Sequence, residues 1–341
     1  MRRGFWLRYL GRRLLAAVLA LFGVAVIVFV VTRLLGDPVE LILGQRATPE
    51  QAAQLRAKLG YDDPLPQQFV RYIGDLVQGD LGVSNYTQRA VTDEIADRFP
   101  ATLELALAGM FLGLLWTIPL GVLAAQRPGG WVDRVSRAIA EFGLAIPNFF
   151  FGLLLILLFA YVLGWAPAPV GELDIGATPP PRVTGMVVVD ALLAGDLSTF
   201  SSALKYLALP AITLAVTSCP PILALTRTSM ITALRGDYVR SARAFGLPQR
   251  TVRWYALKNS LVPVLTMSAM TFGFLVGNTV LVETVFSWPG VGLYSVQSMQ
   301  RFDYAPVLGI VLLGSAIYIL VYLLADLISM AIDPRVREGQ T

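Results

Sequence analysis

The sequence predicts an all-α integral membrane protein with six transmembrane helices. Of its 341 residues, 55% are hydrophobic and only 15% are charged, a smaller charged fraction than soluble domains have. The mean hydropathy is +0.64. The apolar residues also fall in six blocks, and each is long enough to cross a bilayer as a helix of about 20 residues. These blocks are 14–35, 101–125, 138–163, 207–226, 261–282 and 305–332.

The first block is predicted to stay in the mature chain as a transmembrane helix. It is too long for the apolar region of a signal peptide, and no small-x-small cleavage site precedes Arg33 and Asp37. We therefore divide the chain into three parts. Residues 1–100 are an N-terminal transmembrane helix plus an external helical region, residues 101–332 are a five-helix transmembrane domain, and residues 333–341 are a cytoplasmic tail.

The composition excludes several kinds of site. The sequence has no histidine, which rules out histidine metal ligands, histidine bases and histidine proton relays. The single cysteine, Cys219, excludes an internal disulfide, and its place in an apolar block is typical of a small buried residue. The net charge of +4 is explained by membrane topology, so it does not indicate a nucleic-acid partner.

The basic residues concentrate in alternate loops. Five arginines and no acid precede the first block, and residues 227–260 have seven basic residues against one acid. Residues 36–100 instead have six basic residues against ten acids, and residues 164–206 have two against four. The positive-inside rule then places both termini and the 227–260 loop in the cytoplasm. Residues 36–100 and 164–206 are predicted to be external.

The external region 36–100 has helical signals of its own. Residues 48–51 read Thr-Pro-Glu-Gln, a capping box with proline at the first helical position, and Gly60 is expected to end that helix. Apolar residues of the stretch 69–77 follow helical spacing, which predicts an amphipathic helix on the outer surface. A third short helix is expected at 91–99, before Pro100. This helical cap has two interpretations, a contact surface for a soluble partner or a scaffold for the first helix.

The second external insert, 164–206, is rich in proline. Prolines at 167, 169 and 179–181 exclude regular helix or sheet interior there. The apolar stretch 185–194 is too short to span the membrane, so it suggests a re-entrant or interfacial segment.

A basic helical elbow is predicted at 237–249, in the cytoplasmic loop. Asp237 is expected to cap a helix, and Gly246 is expected to end it in a left-handed conformation. Pro248 and Gln249 then suit the first turn of a second helix, 249–260. A rigid element of this kind at the membrane surface suits a docking site for a partner, with Phe245 as an apolar plug for a pocket. The alternative is a lipid-binding or merely topogenic basic loop.

Several stretches, in order along the chain, resemble one family of membrane proteins. In the segment 238–246, Arg240, Ser241 and Ala242 stand where a Glu-Ala-Ala motif is usual, and Gly246 stands at the motif glycine. The Leu-Pro that normally follows is matched only with shifted spacing, at 261–263. The further matching stretches are 79–84, 100–106, 209–214, 282–292 and 333–337. Together they cover almost the whole chain, which resembles the permease subunits of bacterial ABC transporters that import dipeptides, oligopeptides or nickel.

The resemblance implies a type I ABC importer permease fold and a set of partners. It implies a bacterial inner-membrane chain that pairs with a second, homologous permease and forms a path for peptides through the lipid bilayer. Two cytoplasmic ATPases would dock on the elbow, and an external binding protein would deliver the substrate. ATP and Mg would bind to the partner subunits, so no cofactor and no enzymatic activity are expected here. The residues implied in ATPase coupling are Arg240, Ser241, Ala242, Arg243, Ala244, Phe245 and Gly246.

Two acidic residues near the outer ends of spans are candidates for the substrate path. Glu104 lies near the start of the second span, and Glu283 lies at the end of the fifth. Acids near an interface cost little and are usually structural, but either residue could meet a peptide amino terminus.

Three other functions are alternatives. A nickel or nickel-chelate permease is the main rival within the family. An ion-coupled secondary transporter is disfavoured because no charge cluster lies at mid-membrane. A membrane-embedded enzyme is disfavoured because the sequence shows no nucleophile–base pair and no metal motif such as His-Glu-x-x-His.

Overall fold

The computed structural model describes residues 2–34, 48, 50–51, 53–54, 57 and 62–332. Within these residues the secondary structure is helical apart from one isolated antiparallel bridge between Val83 and Ala90. The helices are α1 (Arg2–Leu34), α2 (Leu65–Val77), α3 (Val91–Gln126), α4 (Trp131–Ala145), α5 (Asn148–Leu155) with the π-helix π1 (Ile156–Val162), α6 (Val187–Leu193), α7 (Leu197–Ser218), α8 (Pro220–Leu234), α9 (Asp237–Ala244), α10 (Gln249–Phe286), α11 (Val291–Gln300) and α12 (Tyr304–Ile332).

Five of the described helices are long and apolar enough to cross a membrane, namely α1, α3, α7, α10 and α12. A sixth crossing is formed if α4 and the helix α5–π1 make one span, bent by 105° at the break between them. Pro147 lies at this break with an extended conformation, φ −61° and ψ 134°. The predicted all-α class is therefore confirmed, and the described helices provide five candidate spans, or the predicted six if the bent pair is one span.

Two helices outside the basic elbow differ from their predicted boundaries. The short helix expected at 91–99 is not separate, since α3 runs from Val91 to Gln126 with Pro100 inside it. Proline removes one helical hydrogen bond, but it need not end a helix held by neighbouring packing. The fourth span, predicted at 207–226, instead begins at Leu197, and its helix breaks at Cys219 before Pro220 starts α8. Proline is favoured in the first turn of a helix, so this break has a local cause.

The chain divides into two compact units. One combines Met1–Phe99 with Tyr294–Ile319, and the other combines Pro100–Leu293 with Leu320–Thr341. In the first unit, α2 packs on α1 through aromatic contacts. The Phe69 ring centroid lies 5.2 Å from that of Phe29 and 5.8 Å from that of Phe22, in edge-to-face geometry. These contacts favour the scaffold interpretation of the amphipathic helix, because its apolar face covers α1.

The capping box at the start of the external region is present. The Thr48 backbone N–H donates to Gln51 Oε1 at 3.1 Å, and the Gln51 N–H donates to Thr48 Oγ1 at 3.3 Å. These reciprocal bonds satisfy two backbone donors at a helix start, as the sequence predicts. Gly60, expected to end this helix, lies outside the described residues.

Close backbone packing characterises the core of the second unit. A Cβ added at Gly113 of α3 would lie 2.2 Å from the Cys219 Sγ atom, and one at Gly121 would lie 2.8 Å from the Thr226 Cβ. Small residues let membrane helices approach closely, and α3 uses them against α7 and α8. Cys219 is fully buried in this contact, as the sequence predicts for a small apolar residue.

Candidate functional site

The basic elbow comprises α9 and the turn 245–248 that joins it to α10. Gly236 precedes α9 with an extended conformation, φ −65° and ψ 151°, and no side chain caps the helix. Asp237 is therefore the first helical residue, and the prediction that it caps the helix was wrong. Its carboxylate still lies at the helix start, where negative charge interacts favourably with the helix dipole.

The end of α9 follows the prediction closely. Gly246 has φ +70°, in the left-handed region. Its N–H donates to the Arg243 carbonyl at 2.9 Å, and the Leu247 N–H donates to the Ala242 carbonyl at 3.1 Å. These two bonds form a Schellman motif, which glycine at this position favours. The elbow is thus a rigid turn held by backbone hydrogen bonds.

The second arm of the elbow is longer than predicted. Pro248 precedes Gln249, the first residue of α10, as expected, but the helix does not end at Ser260. It runs to Phe286, with 38 residues in all, and includes the fifth span, with Pro263 inside it. The basic elbow therefore joins directly, without a break, to a membrane-spanning helix.

One face of α9 is seated on an apolar cluster. Val239 and Ala242 are buried, and they pack with buried residues of α3, α8 and α10. The buried members contributed by those helices are Ala125, Met230, Val252 and Ala256. Ala242, one of the seven predicted coupling residues, thus faces inward, where it can seat the helix but cannot contact a partner.

The other face of α9 is open to solvent. The other six predicted coupling residues are exposed, namely Arg240, Ser241, Arg243, Ala244, Phe245 and Gly246. The Phe245 side chain is 85% exposed at the corner of the elbow. An aromatic side chain between exposed arginines matches the composition that dominates protein–protein interfaces. The structure brings these six residues together on one surface.

A partly buried ion pair braces α8, the helix that precedes the elbow. Arg227 Nη2 lies 3.0 Å from Asp133 Oδ2, and Arg227 Nε also donates to Asp133 Oδ1. The Gly129 N–H donates to the same carboxylate at 2.7 Å. Asp133 is 1% exposed. Sequence analysis did not predict this pair, because no local signal pairs residues that lie 94 positions apart.

Removing one partner of this pair should destabilise the protein strongly. Asp133→Ala leaves the Arg227 guanidinium, which is 20% exposed, without its buried counter-ion. Breaking a fully buried pair costs about 3–5 kcal/mol, which is an upper bound here because solvent reaches Arg227. The exposed pair between Asp237 and Arg240, 3.2 Å apart, is a matched control. Asp237→Ala should cost roughly 0–1 kcal/mol, because solvent screens exposed pairs. Thermal unfolding of both variants in detergent measures the difference, and equal melting temperatures would contradict the bracing role.

Glu104 accepts hydrogen bonds from the start of another helix. Its Oε1 accepts from the Val188 N–H at 2.8 Å, and its Oε2 accepts from the Val187 N–H at 3.1 Å. The side chain is 5% exposed. Glu104 therefore caps α6 from α3 and satisfies two of its free backbone donors. The short apolar stretch for which a re-entrant segment was suggested forms α6 at this point.

Glu283 has a similar role at the end of α10. Its Oε1 accepts from the Thr102 hydroxyl at 2.8 Å, and its Oε2 accepts from the Leu293 N–H at 3.0 Å. The side chain is completely buried. The Thr102 hydroxyl in turn accepts from the Val291 N–H at 2.9 Å. Thus Glu104 and Glu283 both bind the chain's own donors here, and their contact with a substrate stays a prediction.

A third carboxylate, Glu172, joins this group and was missed by sequence reasoning. It lies in the proline-rich insert, and its Oε1 atom is buried with no hydrogen-bond partner among the described residues. Burial, with the nearby charges of Glu104 and Glu283, raises the pKa of Glu172 from its ordinary value of 4.5 to about 8. No group of described His, Cys, Asp or Glu residues has a metal-binding arrangement, so these carboxylates are not assigned to a metal.

The raised pKa of Glu172 predicts a pH dependence of stability. An acid with a raised pKa binds more protons in the folded state, so its stabilising contribution is complete below its ordinary value of 4.5. That contribution is lost as the pH rises through about 8. Melting temperatures measured across this range should fall for the wild type and fall less for Glu172→Gln, whose side chain does not ionise. An identical pH profile for both proteins would contradict the assignment.

The chain is similar to known transport proteins. Residues 117–338 match the family described as binding-protein-dependent transport system inner membrane component, and residues 6–106 match the N-terminal region of such membrane components. The chain is 43% identical over 337 residues to the probable D,D-dipeptide transport system permease protein DdpB of Escherichia coli (strain K12), with 98% of each chain covered.

Two further relatives are similar over nearly their whole length. The chain is 40% identical over 335 residues to the di/tripeptide transport system permease protein DppB of Pseudomonas aeruginosa (strain UCBPP-PA14), with 97% of this chain and 99% of the relative covered. It is 37% identical over 338 residues to the dipeptide transport system permease protein DppB of Escherichia coli (strain K12), with the same coverage of 97% and 99%.

Proposed function

Since the chain belongs to the family of binding-protein-dependent transport system inner membrane components, we propose that it forms the path for di- or oligopeptides in an ATP-driven importer. The family membership and the all-α permease fold agree with the sequence prediction. The chain is a multi-pass inner membrane protein of a transport system. The peptide substrate is proposed because the three relatives described above are named for dipeptide or di/tripeptide transport.

The observation that carries the proposal is the construction of the basic elbow. Its outer face presents Phe245 and two exposed arginines, while its inner face is held by Val239 and Ala242 against α3, α8 and α10. A partner that binds the outer face can therefore move the helices that the inner face contacts. We assign this surface to the docking of cytoplasmic ATPases, one on this chain and one on a second, homologous permease.

ATP hydrolysis is assigned to those partner subunits. The sequence contains no Gly-x-x-x-x-Gly-Lys-Ser/Thr phosphate loop, so the usual nucleotide site of such ATPases is absent from this chain. ATP and Mg would accordingly bind to the partners, and this chain would have no bound cofactor and no enzymatic activity of its own. An external binding protein would deliver the peptide.

The proposed orientation places both termini and the basic elbow in the cytoplasm. It rests on the arginines in the N-terminal part of α1 and the basic residues around α9, and on the scarcity of basic residues in the alternate loops. The carboxylates of Glu104, Glu172 and Glu283 then lie toward the outer side. We propose that Glu104 and Glu283 shape the outer part of the substrate path by holding α6 and the start of α11 in place.

Uptake by reconstituted proteoliposomes tests the proposed function. The vesicles contain the chain with its partner permease and ATPases, and the binding protein and a labelled dipeptide are added outside. ATP inside the vesicles should drive accumulation, while ADP should not, and ionophores that collapse ion gradients should have no effect. Accumulation that needs an ion gradient and not ATP would overturn the proposal in favour of a secondary transporter.

A further inference from the structure

A buried carboxylate organises one end of the first compact unit. Asp303 is 2% exposed and lies just before α12. It accepts hydrogen bonds from the Ser84 hydroxyl at 2.5 Å, the Asn85 N–H at 3.1 Å and the Tyr86 N–H at 3.3 Å. Three donors from one turn therefore converge on a single side chain more than 200 residues away. The turn 84–88 and the segment 299–303 are held together as one rigid surface.

This rigid surface presents exposed aromatic and basic side chains. Tyr86 and Phe302 are largely exposed, as is Met299. The Arg301 guanidinium carbon lies 3.7 Å from the centre of the Tyr86 ring, which is cation–π geometry. Among the described residues Arg301 forms no ion pair. We call Tyr86, Met299, Arg301 and Phe302 the outer patch.

Phe302 has a left-handed backbone conformation, which is unfavourable for a residue with a side chain. Its φ is +57°, and it follows the end of α11, with its N–H donating to the Met299 carbonyl and the Asp303 N–H donating to the Ser298 carbonyl. This is the position at which helices usually have glycine, because a side chain strains the left-handed backbone. An exposed phenylalanine here gains little from burial. Strain of this kind occurs at functional sites, where the side chain is needed for binding.

The surroundings of the outer patch are those of a surface in water. The segment 84–88 is followed by the start of α3, which contains Asp93, Glu94, Asp97 and Arg98. Arg89 Nη2 lies 2.8 Å from Asp97 Oδ2. Charged residues at this density are too costly for the bilayer interior. The turn also belongs to the acid-rich region that the charge distribution places outside the cell membrane. A soluble external protein can therefore reach this surface.

We propose that the outer patch is a docking surface for the soluble substrate-binding protein of the transport system. The inference rests on the proposed function, which requires such a protein on this side, and it adds the residues that receive it. Tyrosine and arginine are the residues that most often dominate binding energy, and a preorganised pair loses little entropy on binding. The cationic Arg301 selects a binding-protein surface with an acidic group facing it.

Affinity measurements on the assembled transporter test this proposal. The wild-type complex of both permeases and ATPases in nanodiscs is titrated with the purified binding protein of the same system. Tyr86→Ala, Arg301→Ala and Phe302→Gly should each weaken the Kd by roughly tenfold or more. Phe302→Gly should leave the melting temperature unchanged or higher, because glycine suits the left-handed backbone. Weaker binding without lower stability separates docking from a structural role.

Ser287→Gly is the matched control. Ser287 also has a left-handed conformation, φ +53°, at the end of a helix, and it is exposed. Glycine there relieves similar strain but removes no patch residue, so the Kd should not change. Wild-type affinity in all three patch variants would overturn the proposal. So would loss of the partner permease from the variant complexes, since the patch would then face that subunit. If the wild-type chain assembles with no ATPase, the proposed function itself fails.

Discussion

Replacing Gly246 by proline is expected to abolish ATP-driven uptake while leaving membrane insertion intact. Proline fixes φ near −65°, whereas Gly246 has φ +70°, and proline also lacks the N–H that donates to the Arg243 carbonyl. The turn between α9 and α10 would have to change direction, which moves Phe245 and the arginines off their common surface. Uptake in proteoliposomes and the amount of chain in the membrane fraction measure the two effects separately.

Asparagine at the same position provides the control. Asparagine tolerates the left-handed conformation and keeps the backbone N–H, so Gly246→Asn should retain most of the uptake. Arg240→Glu tests charge instead of backbone geometry, because it reverses an exposed charge on the docking face. It should also abolish uptake. Normal uptake by both Gly246→Pro and Arg240→Glu would show that the basic elbow does not couple ATP hydrolysis to transport.

Replacing Glu283 by alanine is expected to have the largest effect on stability at the outer side. The change leaves the Leu293 N–H and the Thr102 hydroxyl without their buried acceptor. Each buried donor left unsatisfied costs about 1–3 kcal/mol, so the total should be roughly 2–6 kcal/mol. The start of α11 would be released, and uptake should fall. Thermal unfolding in detergent and uptake are measured on the same preparation.

Glutamine variants separate a structural role of these acids from contact with the peptide. Glu104→Gln and Glu283→Gln keep a carbonyl acceptor but lose the charge that a peptide ammonium would bind. If the acids only position the backbone, the glutamine variants should be more stable and more active than the alanine variants. If they meet the peptide, uptake should fall in the glutamine variants as well, without a matching fall in melting temperature. Normal uptake by the double alanine variant would exclude both roles.

The basic elbow was predictable because its signals are local. Gly246 and Pro248 determine the turn through their own backbone preferences, and those preferences appear in the structure as a Schellman motif and a helix start. The helix start at Asp237 was misassigned by one residue, because Gly236 adopts the extended conformation that precedes α9. The residue before the first helical turn must have an extended backbone, and glycine and aspartate are both favoured there. The sequence therefore does not decide whether Gly236 or Asp237 precedes the helix.

The lengths of the helices were less predictable than their number. Hydropathy detects only the part of a helix that crosses the bilayer, about 30 Å of hydrocarbon. Helix α10 has 38 residues and is therefore roughly 57 Å long, and about two-fifths of it lies outside the apolar block 261–282. Helix α3, with 36 residues, extends past its predicted start for the same reason. The polar turns at these helix ends fold as helix because tertiary contacts hold them.

The surroundings of the buried carboxylates could not be predicted from the sequence. Glu104 and Glu283 were singled out by their positions near the ends of spans, but their partners were not. Glu104 accepts from backbone N–H groups 83 and 84 residues away. Every residue except proline has such a donor, so the sequence does not indicate which ones are the partners. Asp303 and Glu172 were not singled out because nothing near them in the sequence marks a buried acid. Only the folded chain brings these groups together.

Co-purification of this chain with its ATPase pair tests the central claim most directly. Wild-type chain, Phe245→Ala and the control Trp131→Ala are each expressed with the partner permease and the ATPases. Trp131 is 77% exposed and is the first residue of α4. It follows the second apolar block, so alternation of sides also puts it in the cytoplasm, and its removal should change nothing. The ATPases should co-purify with the wild type and with Trp131→Ala, and should be lost from Phe245→Ala. Wild-type chain that binds no ATPase, or a Phe245→Ala variant that retains a full complement, would contradict the account.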